Sequence, residues 1–493
     1  MENKFQFDDL TIQQMFGTDS AEDDDPERLR AYFFKNRAYQ NIRQPLPLRI
    51  LVGHKGIGKS ALLRMSFLED KEDDVLPLRL QPNDLVISSA IKQTFVEKIE
   101  SYKHLISRRI YERSLDKLGI FDEEADKYKI QETAKSLIAA IYDKVVKISG
   151  GDAEAETIRL RERFVSNRIV RIYIDVVDRG WSASKEDINN ISALINAARD
   201  LSNEDGSTIQ VRIGLRSDAY FLYRTSDEST DKIEGNVIRL TWTRHDVLAV
   251  MALRVAHFFG KNVKESDFKH RHQREISREL DPVIEKNFSV GKGHWDGAPI
   301  SVVLLSLNRN RPRDLIKLLT EAGKEAYRND HSIITANDLE KVFANYSHGR
   351  ITDLILEFKS ELPDIEKLIY NMTPSSKQNR DRHKRWLYTT DELVLKIKNI
   401  LQSHNFYFTN GSAVSAKSLA EFLYKIDFLI ARSESDTGSP EWTHFDQNRM
   451  LQSQFVDFGY KWEVHPAYRW ALQPKSVHEI LDSIAREDEF GSR

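Results

Sequence analysis

A glycine-rich segment that follows a short apolar run constrains this chain more than any other feature. Residues 53–60 read G-x-x-x-x-G-K-S. The apolar run before them suits a buried strand, and residues 61–65 after them suit a helix. Glycines let the backbone fold tightly, so that successive N–H groups and the start of the helix point at an anion. The alternative is a glycine-rich turn with an exposed lysine.

The segment therefore predicts a phosphate-binding loop of a nucleotide site that uses Mg²⁺. The ammonium of Lys59 would reach the outer phosphates, and the hydroxyl of Ser60 would bind the metal. The predicted nucleotide-binding residues are Gly53, His54, Lys55, Gly56, Ile57, Gly58, Lys59 and Ser60.

A second informative stretch is an apolar run that ends in Asp175, with Asp178 three residues further on. A carboxylate at a strand end beside a phosphate loop can hold Mg²⁺, directly or through water. A carboxylate just past the strand can polarise the attacking water. The sequence therefore predicts Asp175 as a metal ligand and Asp178 as a catalytic residue. The alternative is a strand end capped by turn-forming aspartates.

Five short apolar strands separated by helical stretches predict an α/β fold with a mainly parallel sheet and helices on both faces. Ligands of such sheets lie at the carboxyl ends of the strands, where Gly53, Asp175 and Arg216 fall. The predicted P-loop core spans residues 1–245. It includes a helical insertion at about 84–164, in which the sequence offers no candidate functional residues.

The C-terminal half predicts a helical lid over residues 246–370. Pro312 suits a first helical turn, which places Arg313 near a helix start, where its guanidinium can reach a phosphate. An exposed cluster of Arg309, Arg311 and Arg313 is the alternative.

A polar, basic linker then leads to a unit over residues 386–493. Its order of two helices followed by strands resembles a winged helix. Lys417 and Lys425 on the second helix are candidates for contacts with phosphates. Such units also serve as packing and protein-contact modules, and this alternative stays open.

Composition narrows the class of protein further. The 493 residues are enough for about three domains. The net charge of -3 gives no global basic field, so a nucleic-acid contact requires a local patch. The absence of cysteine excludes disulfides, thiolate catalysis and cysteine–zinc sites. Since neither a signal-peptide core nor a long apolar run is present, we expect a cytoplasmic protein without membrane contact.

Together these motifs resemble the additional-strand P-loop NTPases, and within them the AAA+, STAND and KAP-type ATPases of bacteria. The strand ending Asp175-Val176-Val177-Asp178-Arg179 is similar to the KAP pattern, although Val176 stands where that family often has a second acid. KAP proteins also usually carry membrane segments, which this sequence lacks. Residues 310–314 resemble the sensor-2 motif of origin-recognition-type AAA+ proteins, which likewise carry a winged helix after the lid.

The resemblance implies ATP rather than GTP as the nucleotide, and it implies catalytic roles for three arginines. Arg216 would be a sensor-1 residue and Arg313 a sensor-2 residue. Arg224 would be an arginine finger that acts across the interface of a homo-oligomer. The alternative is a surface arginine paired with Asp227 or Glu228.

The leading hypothesis is an ATP-binding and hydrolysing switch whose lid and C-terminal unit rearrange with the nucleotide. Many bacterial ATPases of this type accompany anti-phage defence effectors, so the resemblance implies such an effector as a partner. One alternative is an ATP-dependent loader or regulator that grips DNA through the winged helix. Another is a nucleotide-holding scaffold with little turnover.

Overall fold

The computed structural model describes most of the chain. The described residues are 5–18, 24–71, 75–85, 93–117, 169–175, 181, 183–203, 208–226, 231–290, 295–374, 385–434, 440–445, 447–448, 460–473, 480–481 and 483–484. Asp178 and residues 118–164 of the expected insertion lie outside them.

A parallel sheet of five strands forms the centre of the N-terminal half, as the apolar runs predict. Its strands lie in the order β2-β3-β4-β1-β5. Every residue of β4 is buried, because helices cover both faces of the sheet and such strands read as continuous apolar runs. The strands are β1 (Leu48–Gly53), β2 (Val75–Leu80), β3 (Ile169–Asp175), β4 (Ile209–Arg216) and β5 (Val237–Arg239).

Two separate apolar clusters lie on the sheet, one on each face. One joins the sheet to α5 and α6, and the other joins it to α3 and α4. The predicted α/β class is therefore confirmed. The helices of this half are α1 (Asp9–Phe16), α2 (Pro26–Tyr32), α3 (Arg37–Arg43), α4 (Lys59–Asp70), α5 (Phe95–Lys117), α6 (Lys185–Asn203), α7 (Ser217–Ser226) and α8 (Asp231–Glu234).

The next part of the chain, residues 244–370, is mostly helical and buries its own core. That core includes side chains of α1 and α2, so the lead-in packs against the lid helices. Residues Thr243 and Thr335 cap two of these helices with reciprocal side-chain bonds. The elements are α9 (Arg244–Phe258), α10 (Gln273–Ser277), β6 (Asn287–Phe288), β7 (Ala298–Pro299), α11 (Ile300–Ser306), α12 (Pro312–Arg328), α13 (Ala336–Phe358) and α14 (Ile365–Tyr370).

The C-terminal unit combines two main helices with a four-stranded sheet in the order β10-β9-β11-β8. Its core continues into the end of α13, so the unit is packed onto the lid. Lys425 is buried and pairs with Glu361, which removes it from the candidates for phosphate contact. Identity as a winged helix stays a prediction. The elements are β8 (Leu387–Tyr388), α15 (Thr390–Ser403), α16 (Ala416–Lys425), β9 (Leu429–Glu434), β10 (Pro440–Thr443), β11 (Lys461–Val464) and α17 (Arg469–Leu472).

Bilayer crossing requires a helix that is both long and apolar. Across the described ranges, none of the helices meets both conditions.

Candidate nucleotide site

The phosphate loop connects β1 directly to α4. Gly56 and Gly58 have φ values of 77° and 105°, a conformation that side-chain-bearing residues rarely adopt, which explains two of the glycines in the motif. Lys59 is buried, and its ammonium donates to the carbonyl oxygens of Gly53 at 2.8 Å and of His54 at 3.0 Å. The loop therefore wraps around its own lysine.

A cavity of about 300 Å³ opens beside this loop, and Lys59, Ser60 and Asp175 all line it. Asp175 ends β3, and its carboxylate lies against Gly214 on the neighbouring strand β4. A Cβ atom at residue 214 would lie only 3.0 Å from Oδ1 of Asp175. The structure thus places the predicted metal ligands Ser60 and Asp175 on one cavity.

Gly214 is a residue that the sequence reasoning missed. It is the one glycine within the buried strand β4, and a glycine inside a strand often marks a close approach of another group. That signal was available in the sequence.

Arg313 also lines the cavity and lies directly on the phosphate loop. A Cβ at Gly56 would lie 3.1 Å from Cδ of Arg313, so the arginine stem covers that glycine. The Nε of Arg313 is buried and has no hydrogen-bond partner among the described residues. Arg309 and Arg311 are only 5% and 2% exposed, so the alternative of an exposed arginine cluster is wrong.

Arg216 does not line this cavity. Its guanidinium forms a two-point ion pair with Asp218, at 2.9 and 3.0 Å, and Nη2 donates to the carbonyl oxygen of Glu357. Burial alone would raise the pKa of Asp218, but Arg216 lowers it below its usual value. Arg216 ends β4 as predicted but turns toward α13, so a sensor-1 role would require this pair to open.

Arg224 lies on α7 and is largely exposed. It pairs with Glu234 at 3.0 Å, and both side chains remain about half exposed. The pair is therefore a surface contact, worth about 0–1 kcal/mol.

The outer side of the loop, away from the cavity, is held by side chains from distant parts of the chain. Arg311 donates to the carbonyl oxygen of Lys55 at 3.2 Å and to Asp427 at 3.0 Å. The Lys55 amide donates to Glu357 of α13 at 3.4 Å. His54 lies 3.5 Å from the same Asp427 carboxylate. The lid and the C-terminal unit therefore both contact the phosphate loop.

Asp427 is the centre of these outer contacts. It is 3% exposed and has a φ of 57°, which aspartate tolerates better than most residues. Burial alone would raise its pKa, but His54, His444 and Arg311 hold the pKa well below its usual range. The Asp427 carboxylate is therefore ionised at neutral pH.

The rest of the cavity wall comes from the lead-in and the lid. Phe33, Phe34 and Ile316 supply apolar surface, and Tyr32 and Arg254 add polar atoms. Trp242 contacts the loop itself, because its indole N–H donates to the carbonyl oxygen of Ile57 at 2.7 Å. A cavity with one cationic wall and one apolar wall suits a nucleotide.

The described residues contain no cluster of three or more histidines and acids that could hold an ion. Ser60 and Asp175 nevertheless fit the hard oxygen ligands that Mg²⁺ takes when phosphates and water complete its shell.

The fold and site define a P-loop-like α/β protein with a parallel sheet. In this sheet β4 lies between β1 and β3. A family model for the FunZ-associated C-terminal helical domain matches residues 265–355, which fall within the lid.

Two curated proteins show sequence similarity. The chain is 24% identical to an 80.3 kDa protein of transposon gamma-delta from Escherichia coli K12, over 95% of this chain and 69% of that protein. It is 28% identical to allergen Alt a 2 of Alternaria alternata over 29% of this chain and 67% of that protein.

Two solved structures show weak similarity along most of the chain. The ORC2 protein of Aeropyrum pernix, in ADPNP–ADP complexes, has 13% identity and a TM-score of 0.40, covering 93% of this chain and 92% of its own. Drosophila ORC bound to DNA has 10% identity and a TM-score of 0.30, covering 96% and 93%. At these TM-scores the likeness assigns no function.

Proposed function

We propose that this chain binds and hydrolyses ATP with Mg²⁺ and acts as a molecular switch. The observation that carries the proposal is that the phosphate loop has a cavity on one side and contacts with the C-terminal half of the chain on the other. One side lines the cavity with Lys59, Ser60, Asp175 and Arg313. The other side is hydrogen-bonded to the lid and contacts Asp427 of the C-terminal unit. A change of loop geometry on binding of a ligand in the cavity would therefore alter the contacts of the loop with the lid and the C-terminal unit.

The proposed roles follow from the chemistry of each side chain. Lys59 and Arg313 are cations that neutralise phosphate charge, and the buried Nε of Arg313 has a hydrogen to donate. Ser60 and Asp175 would hold Mg²⁺, which supplies further charge neutralisation at the transferred phosphate. Asp178, just beyond β3, would orient and polarise the attacking water.

The switch part of the proposal rests on the buried contacts of Asp427 and Glu357. Both carboxylates come from the C-terminal half and meet residues of the phosphate loop. Because packed, paired groups have discrete arrangements, a small shift of the loop favours a different packing of the C-terminal unit. Nucleotide binding would then change how firmly that unit is held.

Hydrogen exchange together with phosphate release tests both parts in one experiment. The wild-type chain and Lys59→Ala are compared with and without ATP and Mg²⁺. We expect ATP to alter exchange in residues 425–434 and 460–464 of the wild type only. ATP turnover without any change in these segments would refute the switch, and absence of both binding and turnover would refute the site.

DNA binding is the second candidate function, and one observation favours it at an unexpected place. Residues 269–278 contain four lysines and arginines, two histidines and one acid. Five of the cationic or histidine side chains are exposed: Lys269, His270, His272, Arg274 and Arg278. This local patch meets the condition that the near-neutral net charge imposes.

Filter binding with short duplex DNA separates this patch from the predicted winged helix. The double variant Arg274→Glu/Arg278→Glu is compared with Lys417→Glu on the exposed side of α16. If the lid patch binds phosphates, the double variant loses affinity and Lys417→Glu does not. The reverse result would support the winged helix, and no binding by the wild type would end the DNA proposal.

Assembly into a homo-oligomer is proposed for Arg224, whose exposure leaves it accessible to a neighbour. An arginine acting in trans contributes about 10³-fold or more to turnover in related NTPases. Mixing Arg224→Ala chains with Lys59→Ala chains would then restore activity at some interfaces. If the mixture is as inactive as either variant alone, or if monomeric Arg224→Ala shows normal turnover, a homo-oligomer with Arg224 acting in trans is contradicted. A defence effector as partner stays a prediction from the resemblance.

A further inference from the structure

One corner of the cavity is lined by two polar side chains that have no role in the proposed binding of phosphate and Mg²⁺. Tyr32 of α2 and Arg254 of α9 line the cavity beside apolar residues of the lead-in and the lid. The Tyr32 hydroxyl and the Nε of Arg254 are both buried, and neither has a hydrogen-bond partner in the described parts of the chain. Buried polar atoms almost always have a hydrogen-bond partner. Two neighbouring side chains with unpaired buried polar atoms on a cavity wall therefore indicate a place where a ligand binds.

The two side chains are held together rigidly. The guanidinium carbon of Arg254 lies 4.4 Å from the centre of the Tyr32 ring. Nη1 of Arg254 donates to the carbonyl oxygen of Phe16, at the end of α1. The next residue, Gly17, has a φ of 87°, and a Cβ there would lie 3.3 Å from the Tyr32 hydroxyl. The glycine thus allows the hydroxyl and the guanidinium to share this corner.

The charge of the corner is fixed at neutral pH. Burial lowers the pKa of Arg254 to about 10, so the guanidinium remains protonated and its Nε can only donate a hydrogen bond. The Tyr32 hydroxyl can donate or accept. The corner therefore offers a fixed donor beside an adaptable group that can act as the acceptor.

We propose that Tyr32 and Arg254 recognise the edge of an adenine base, an inference that rests on the proposed ATP site. Adenine presents a ring-nitrogen acceptor beside its 6-amino donor on both of its hydrogen-bonding edges, N7/N6 and N1/N6. Arg254 donates to the ring nitrogen, and Tyr32 accepts from the amino group. These two groups fit the acceptor–donor pair on either edge of adenine. The apolar neighbours Phe33, Phe34 and Ile316 cover the faces of the base.

Equilibrium binding to the chain of 493 residues tests this assignment with three probes: ATP, purine riboside triphosphate and inorganic tripolyphosphate. Purine riboside lacks the 6-amino group, and tripolyphosphate lacks the base. We expect Tyr32→Phe to weaken ATP by about 3- to 10-fold and to leave tripolyphosphate unchanged. In this variant ATP and purine riboside triphosphate should bind alike, whereas the wild type should prefer ATP.

The matched control is Tyr102→Phe, a buried tyrosine of α5 outside the cavity, which should leave all three affinities unchanged. A second variant, Arg254→Lys, keeps the charge but loses the Nε–H, and should weaken ATP more than tripolyphosphate.

Three outcomes would overturn the proposal in distinguishable ways. Unchanged ATP affinity in folded Tyr32→Phe would leave the phosphate site intact and refute recognition of the base. Purine riboside triphosphate that binds the wild type as tightly as ATP would refute recognition of the 6-amino group. A wild type that binds neither ATP nor tripolyphosphate would refute the proposed function, and this inference with it.

Discussion

The two sides of the phosphate loop are built in different ways. The inner side lines the cavity with Lys59 and Ser60 at the start of α4 and with two residues from elsewhere in the chain, Asp175 and Arg313. The outer side uses Arg311, Glu357 and Asp427, which lie hundreds of residues from the loop. The inner side faces a cavity that can hold a ligand, whereas the outer side is already in contact with protein groups. Mutations should therefore be able to affect ligand binding separately from the contacts that couple the loop to the lid and the C-terminal unit.

Lys59→Ala should produce the largest change, on the inner side. The variant loses the cation that the cavity offers to phosphate charge, so ATP turnover should fall by about 10²-fold or more while the fold survives. Phosphate release and circular dichroism measure the two properties. Lys71→Ala, at an exposed lysine after α4, is the control. A folded Lys59→Ala chain with normal turnover would show that the cavity is not the catalytic site.

Asp427→Ala should give the opposite pattern, on the outer side. It leaves Arg311 and His54 buried without their carboxylate, which costs about 3 kcal/mol of unfolding free energy. Urea unfolding measures this loss, and ATP affinity should change less than stability does. Asp9→Ala removes an exposed carboxylate and should stay within about 0.5 kcal/mol. If Asp427→Ala abolished ATP binding without loss of stability, the two sides would not be separable.

The same contrast explains what the sequence could reveal. The phosphate loop, the strand ending at Asp175 and Arg313 near a helix start are local patterns, and each appears where local rules place it. Arg216 was placed at the right strand end, but its direction depends on Asp218 and on Glu357, 141 residues away. The contact between Lys55 and Glu357 spans 302 residues. No periodicity or motif carries such pairings, because they depend on how separate units dock.

Arg313→Ala and Arg309→Ala sharpen the comparison within a single segment. Arg313 has an unpaired buried Nε on the cavity, so its loss should weaken ATP by about tenfold with little effect on stability. Arg309 instead forms a buried two-point pair with Asp314 at 2.6 and 2.8 Å. Its loss should destabilise the lid and leave ATP affinity less affected. Calorimetric ATP titration and thermal unfolding of both variants measure these effects, and identical profiles would contradict the assigned roles.

The smallest expected effect is a pH dependence of the free energy of unfolding that arises in the C-terminal unit. His465 is buried beside His444, and its Nδ1 accepts a hydrogen bond from the Ala467 amide. Burial, reinforced by His444 and Arg309, holds the pKa of His465 well below its usual range. The imidazole is therefore neutral in the folded chain, whereas in the unfolded chain it gains a proton below about pH 6.5. Because the unfolded state binds more protons, stability should fall as pH decreases.

For this one group the loss between pH 7 and pH 5.5 should be about 1 kcal/mol. His465→Asn keeps an acceptor for the Ala467 amide but has nothing to titrate, so its unfolding free energy should depend less on pH by that amount. His348→Gln, at an exposed histidine of α13, should retain the wild-type dependence. Urea unfolding of the three chains at both pH values measures the difference. A wild type and His465→Asn that lose the same stability over this interval would show that His465 is not the group responsible. A matching fall in ATP affinity at constant stability would place the titrating group on the inner side of the loop instead.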